Sequence, residues 1–215
     1  LLQGASYAYA ATKSEKLNEL IIKHHDAIIA TQEPDGFIPA FKREKLHKGT
    51  WHDMYIAGHF MEMAVACKEA IGETAALDAA IKWADFLINH KEANSEYMKH
   101  IGYAEHPEVE IGLIRLYRAT GEQRFLDFAE WVIDQNNITT DFSSFKAGGG
   151  NTHAVRTCYL LAGCVEMYLE TGDSKRLDAI LKLWDKIVDE RMYLTGGIGF
   201  EELIPVMPYF LPQTG

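Results

Sequence analysis

Apolar residues recur along this chain at the 3.6-residue helical period, in stretches that come in pairs. One stretch, Trp51 to Gly72, carries Ile56, Phe60, Met63, Cys67 and Ile71 on a single stripe. Its partner places Leu77, Ile81, Ala84 and Ile88 at spacings of three and four, and a later helix does the same with Leu177, Ile180, Leu181, Trp184, Ile187 and Val188. The plan repeats. Histidines open helices at His52, His106 and His153, and Gly-acid turns close them at Gly72-Glu73, Gly121-Glu122 and Gly172-Asp173. Leu-Asp follows each glycine at the same offset (Leu77-Asp78, Leu126-Asp127, Leu177-Asp178), so the period is 49 and then 51 residues. Thr12 to Asn18 reads as a worn earlier copy, with Leu17-Asn18 in the Leu-Asp place. A glycine past a helix end supplies the left-handed residue that stops it, and the short turn then folds two helices into an antiparallel hairpin.

The connections are unequal in a directional way. The Gly turns are short and share one end of the stack, whereas Gln32 to Thr50, Lys91 to Glu105 and Asn136 to Thr152 form long connections at the other. Long loops on a rigid scaffold are where sites are usually built, and the three helix-opening histidines lie at that end. The period does not fit tetratricopeptide repeats, which run at about 34 residues. The predicted fold is all-α: an (α/α)6 barrel, or α/α toroid, incomplete over residues 1–215 and built from helical hairpins of about 50 residues. Three and a half hairpins do not close such a ring. With a start inside a helical pattern at Leu1 and no closing element at Gly215, the chain is expected to be part of a longer protein.

Composition narrows the partners. A formal charge of -10 and a pI near 5.3, with no basic run, argue against nucleic acid, because phosphate contacts need clustered Lys and Arg. No apolar run reaches the roughly 18–20 residues of a membrane span. Cys67, Cys158 and Cys164 have no disulfide-framework spacing and read as small buried apolar residues.

Several polar groups could carry chemistry, each beside a plainer reading. His52, Tyr55, His59 and Glu62 form a polar stripe on one helix. They either line the bore and touch sugar hydroxyls or are capped and solvated, with His59 the better candidate for a packed, satisfied histidine. His52 and His59 are two turns apart, roughly 10 Å, too far to share one metal, and no HExxH pair is present. In His106-Pro107-Glu108-Val109-Glu110, Pro and two carboxylates suit a helix start, and His106 and Glu110 could pair at i,i+4 to fix the imidazole. His153-Ala154-Val155-Arg156 follows Gly148-Gly149-Gly150, which is not a phosphate loop, since no strand precedes it and no Gly-Lys-Ser/Thr follows. Glu201 and Glu202 come after the Gly-rich break Thr195-Gly196-Gly197-Ile198-Gly199. A carboxyl in a partly desolvated loop can serve as a general acid, and two adjacent Glu on a surface turn is the plainer alternative.

Six stretches in register carry a resemblance: Gln32-Glu33-Pro34-Asp35-Gly36-Phe37; His52-Asp53-Met54-Tyr55 with Ala57-Gly58-His59; His106-Pro107-Glu108-Val109-Glu110; Leu116-Tyr117-Arg118-Ala119-Thr120-Gly121; His153-Ala154-Val155-Arg156; and Met192-Tyr193-Leu194-Thr195-Gly196-Gly197-Ile198-Gly199. Together they resemble the β-L-arabinofuranosidases of glycoside hydrolase family 127. That resemblance implies an α/α barrel followed by β-sandwich domains, and a retaining hydrolase whose nucleophile is a zinc-held cysteine thiolate. It implies zinc held by one Glu and three Cys. Those ligands fall beyond this chain, so no metal ligand is assigned within it, and Cys67, Cys158 and Cys164 do not match. Residue by residue, it makes His52, His106 and His153 sugar contacts, with His59 and Tyr55 on the same stripe, and places the acid/base near Glu201 or Glu202.

The expected partners are a carbohydrate substrate and a second copy in a homodimer, with no nucleic acid and no membrane. The chain alone is expected to be inactive; zinc-dependent hydrolysis of an aryl β-L-arabinofuranoside by it contradicts that. Two other readings stay open: another α/α-toroid carbohydrate enzyme such as an unsaturated glucuronyl hydrolase, and a non-enzymatic helical-repeat scaffold. A glycosidase gathers its histidines and aromatics (Trp51, Tyr55, Phe37, Tyr103) at one mouth, whereas a scaffold presents an extended concave face of mixed charge.

Overall fold

The computed structural model describes residues 1–39, 52–101, 106–136, 153–190 and 192–198. Over those residues the chain forms nine helices and no strand: α1 (Leu2–Thr12), α2 (Glu15–Ile29), α3 (Asp53–Ile71), α4 (Ala75–Glu92), α5 (Glu96–Ile101), α6 (Val109–Thr120), α7 (Gln123–Gln135), α8 (Ala154–Thr171) and α9 (Ser174–Glu190). Eight of them pair as hairpins, α1/α2, α3/α4, α6/α7 and α8/α9. The worn first copy is therefore a full hairpin, and the described residues hold four rather than three and a half. The first helices of the pairs pack in sequence, α1 on α3, α3 on α6 and α6 on α8, while the second helices back them from outside. This is an arc of an α/α toroid, with an inner row of α1, α3, α6 and α8.

Burial follows from that layering. In α3, wedged between α1, α4 and α6, twelve of nineteen residues are buried, from Asp53 to Cys67. A helix covered on several sides needs apolar or small residues nearly all round. Outer helices are amphipathic instead: α7 buries Phe125, Leu126, Phe128, Ala129, Val132 and Ile133 and leaves the charged face to solvent. On α9 the predicted stripe divides. Ile180 and Ile187 are buried with Leu183, whereas Leu181, Trp184 and Val188, one residue further round the helix, are exposed. Among the described residues no helix is long and apolar enough to cross a membrane.

The inner-helix ends confirm the turn reading. Gly72, Gly121 and Gly172 adopt φ of 75°, 76° and 71°, and each N–H caps the carbonyl four residues back. In the first hairpin the same left-handed position is held by Lys13, at φ 53°. A side chain there costs about 1 kcal/mol relative to glycine. Lys13→Gly should therefore raise unfolding stability by roughly 0.5–1 kcal/mol, measured by urea denaturation. An unchanged midpoint would mean the ammonium lying 5.1 Å over the Tyr9 ring offsets the strain.

At the opposite end the repeat extends into the loops. After α2, Glu33 N–H donates to the Phe37 carbonyl and Gly36 N–H to the Glu33 carbonyl; after α9, Tyr193 and Gly196 make the same pair with Gly197 and Tyr193. The second long connection, expected to be loop, contains α5. Ser95 Oγ caps it by accepting the Met98 N–H at 3.1 Å, and Met98 is buried.

Candidate functional site

Three inner helices begin at the long-loop end, and each brings a histidine there. His52 precedes α3, His106 sits two residues before the Glu108 cap of α6, and His153 caps α8. The His106 ring is the hub: its centroid lies 4.2 Å from Tyr55, 5.7 Å from His52, 6.4 Å from His153 and 6.3 Å from Tyr159. Tyr55 in turn lies 4.5 Å from His59 and 5.8 Å from Tyr159. So the structure brings together all five of the sequence-derived contact candidates, and adds Tyr159.

Hydrogen bonds assign the protons on two of these rings. His106 Nδ1 is 3.2 Å from the Pro107 carbonyl. A carbonyl only accepts, so Nδ1 carries the proton and Nε2 of the neutral ring is an acceptor. Burial lowers the His106 pKa, against the Pro107 bond, which raises it. His153 is the converse: its Nδ1 accepts the Arg156 N–H at 3.4 Å, which places the proton on Nε2. Neighbouring imidazoles thus differ in polarity, as is useful for a polyol whose hydroxyls both donate and accept.

Beneath these rings lies a charged layer. His59 Nδ1 is 2.9 Å from Glu108 Oε1 and 3.8 Å from Glu62 Oε2, and Arg115 Nε is 2.8 Å from Glu62 Oε1. The Glu108 and Arg115 contacts each set a cation against a carboxylate oxygen at these short distances. Bonds to Glu108 and then Glu62 push the His59 pKa up to about 10. Burial pushes Glu108 up to about 7 against the opposing His59 bond. Burial also raises Glu62, but its partners His59, Glu108 and Arg115 outweigh it and leave it below the ordinary range. Glu110, fully buried, reaches about 7 through burial, against the backbone N–H bonds that lower it.

A cavity of about 590 Å³ opens on this layer, lined among others by Glu62, Glu108, Arg115, Cys158, Tyr159 and Ile198. A larger one, about 1110 Å³, lies between α1, α2 and α3. Its walls are mainly aliphatic, including Leu17, Leu20 and Ile28, with Gln3, His24, Thr31 and His59 as the polar side chains among them.

Among the described residues one group has donors close enough to share a metal, His59, Glu62 and Glu108, with ligand atoms within 4.8 Å. Its two carboxylates already face two cations, the imidazolium of His59 and the guanidinium of Arg115, and the cluster is charge-balanced as it stands. The thiols do not suit a sulfur-rich zinc site either. Cys158 is exposed, whereas Cys67 and Cys164 are buried and burial raises their thiol pKa values, that of Cys164 more strongly. None of the three joins the one group of close donor atoms among the described residues.

Phe37, placed at the mouth from sequence, is 3% exposed and packs in the core 5.3 Å from Phe86 and 5.8 Å from Trp83. Glu110 does not pair with the His106 ring; its Oε2 accepts the Glu108 N–H at 3.0 Å. Trp51, Tyr103, the triple glycine and both acid/base candidates, Glu201 and Glu202, lie outside the described residues. Sequence reasoning missed Tyr159 and Arg115, although Tyr159 stands less than two turns after His153 on one helix, a spacing that was available to be read.

A family model described as β-L-arabinofuranosidase, GH127 catalytic domain, matches residues 1–214. The chain is 31% identical to a non-reducing end β-L-arabinofuranosidase of Bifidobacterium longum subsp. longum, over 92% of this chain and 36% of that one. Among solved structures, a GH127 β-arabinofuranosidase is 31% identical with a TM-score of 0.77, covering 92% of this chain and 34% of that one. A GH127 β-L-arabinofuranosidase from Geobacillus stearothermophilus T6 shares the fold at TM-score 0.79 and 24% identity, over 96% and 38% of the two chains. The chain thus spans little more than a third of the length of these relatives. With the repeat, the arc and the six matching stretches, these likenesses establish that the chain belongs to the GH127 β-L-arabinofuranosidase family, within its catalytic domain.

Proposed function

We propose that this chain forms the sugar-contacting part of a retaining glycoside hydrolase that removes terminal arabinofuranose from glycans or glycoconjugates. The observation that carries the reading is the wall of His52, Tyr55, His106, His153 and Tyr159 at the opening of three inner helices. Imidazoles of both polarities beside phenol rings offer hydrogen bonds and flat apolar faces together, the combination a furanose presents in return. This gathering at one mouth favours an enzyme over a scaffold. His59 serves below the wall, paired with Glu108. The acid/base role belongs to Glu201 or Glu202 on the strength of the resemblance. Zinc is a property of the whole protein in this reading, with no ligand assigned to Cys67, Cys158 or Cys164.

Titration of the labelled chain with methyl β-L-arabinofuranoside, followed by NMR, tests the wall. Shifts should concentrate on His52, His106 and His153, and replacing any one with Ala should raise Kd by about tenfold, the equivalent of 1.4 kcal/mol. Preferential binding of an unsaturated uronic acid would move the assignment to the glucuronyl hydrolase type. In the whole enzyme, Glu201→Gln and Glu202→Gln should differ: the acid/base variant loses about 10²–10⁴ in rate and the other stays near the parent.

A further inference from the structure

The peptide unit between Pro107 and Glu108 is hydrogen-bonded at both ends. Its carbonyl accepts the proton on His106 Nδ1 at 3.2 Å, and its N–H donates to Glu110 Oε2 at 3.0 Å. The buried carboxylate of Glu110 thus sits one peptide away from the hub imidazole, in line with it.

That peptide is also where the backbone is strained. Glu108 has φ 146° and ψ -37°. Of the three non-glycine residues with positive φ among those described, Lys13 and Asn94 have φ of 53° and 46° and Glu108 alone lies far outside the left-handed helical region. A half-turn of the Pro107–Glu108 peptide would bring φ to roughly -35°, at the border of the right-handed helical region with the existing ψ. The same half-turn would break both hydrogen bonds. The following peptide cannot share the movement: the Glu108 carbonyl starts α6 by accepting from Ile111 and Gly112 at 3.0 and 3.2 Å, and it presses on Gly58, where a Cβ would lie 2.6 Å away. Glu110 is itself held, with α8 against it so closely that a Cβ on Gly163 would come within 2.4 Å of its Cγ. Backbone strain kept by surrounding structure next to a functional group points to a role for that strain.

We propose that Glu110 is a positioning residue for His106: it holds the Pro107–Glu108 peptide in its strained orientation, and the carbonyl so aimed keeps the His106 proton on Nδ1 and Nε2 as an acceptor. The role resembles a carboxylate orienting a histidine directly, here transmitted through one amide. Its consequence for sugar binding rests on the functional reading above, but the protonation pattern of His106 does not.

Imidazole ¹⁵N NMR reads that pattern directly, with His106→Ala assigning the signal. In the unmodified chain, neutral His106 should show the proton on Nδ1. Glu110→Met removes the acceptor at similar volume and should move most of that proton to Nε2, leaving His153 unchanged. Glu110→Gln, which retains an acceptor oxygen, should restore the Nδ1 form. Sugar affinity should fall about tenfold in the Met variant and recover in the Gln variant. An Nδ1 proton that persists in a folded Glu110→Met chain overturns the proposal. If that variant does not fold, Glu110→Asp, whose side chain is one methylene shorter and withdraws the acceptor from the Glu108 N–H, decides by the same spectrum: a His106 proton moved to Nε2 supports the role, and one that stays on Nδ1 overturns it. A tautomer switch without any sugar binding in the parent chain would retain the positioning role and remove the glycosidase reading.

Discussion

Gly112→Ala is expected to destabilise the fold by about 3 kcal/mol or more, at the upper end of what an added methyl does in a packed interior. A Cβ at position 112 would sit 2.6 Å from the Gly58 carbonyl oxygen and 2.8 Å from its Cα. Both are main-chain atoms in the middle of α3 and cannot rotate away as a side chain would. Relief requires α3 and α6 to separate, which loosens contacts along both helices. For a chain of this size the midpoint temperature should fall by roughly 6–12 °C. Gly58→Ala should behave alike, since its Cβ would meet the Glu108 carbonyl. Two controls separate sterics from conformational preference. Gly72→Ala meets nothing within 4 Å but has φ 75° and should cost about 1 kcal/mol. Gly4→Ala, exposed inside α1 with open space around it, should gain roughly 0.5–1 kcal/mol. A thermal scan in which Gly112→Ala is no worse than Gly72→Ala would contradict the close helix approach.

Glu110→Gln is expected to change the pH dependence of stability rather than stability at every pH. Burial raises the Glu110 pKa from 4.5 to about 7, so the folded chain holds this proton more tightly than the unfolded chain. Stability from this group is then fully present below pH 4.5, falls as pH rises to about 7, and is flat beyond. Glu108 adds a decline of the same sign over the same window. His59, raised from 6.5 to about 10, contributes stability that is lost between those values; it is 38% exposed, so solvent screening reduces its share. Replacing Glu110 with the neutral amide removes one share of the lower decline. The variant should match the parent near pH 4 and exceed it by on the order of 3 kcal/mol at pH 8. Denaturant midpoints at four or five pH values measure this, and a constant difference across them would mean the carboxyl titrates alike in the folded and unfolded chain.

Much of the architecture is readable in the chain because it is local and repeated. The Gly-acid turn, the Leu-Asp offset and the helical period each constrain one hairpin, and three copies reinforce one another. The helix α5 was legible too: Ser95-Glu96 is a cap followed by an acidic first turn, although the surrounding polar residues read as loop. What the chain does not display is the register between neighbouring staves. Glu108 meets His59, and Gly112 meets Gly58, across about fifty residues, and no periodicity along one helix specifies where it touches the next. A glycine inside an otherwise sound helical pattern, as at Gly58, Gly112 and Gly163, is the available signal that a backbone or buried group will come close. The α9 stripe failed for a related reason: Leu181 and Trp184 are apolar, and pattern alone does not say which flank of a helix a neighbour covers.

The glycine contact between α3 and α6 also separates the calibre of the bore from its lining. Main chain rests on main chain at Gly58 and Gly112, so the spacing of these two staves does not depend on the size of the residues that face the cavity. Positions such as Tyr55 or Arg115 are then free to be exchanged without moving α3 and α6 apart or together. A lineage built on this arc could change what its wall contacts, while inheriting the same spacing between these two staves.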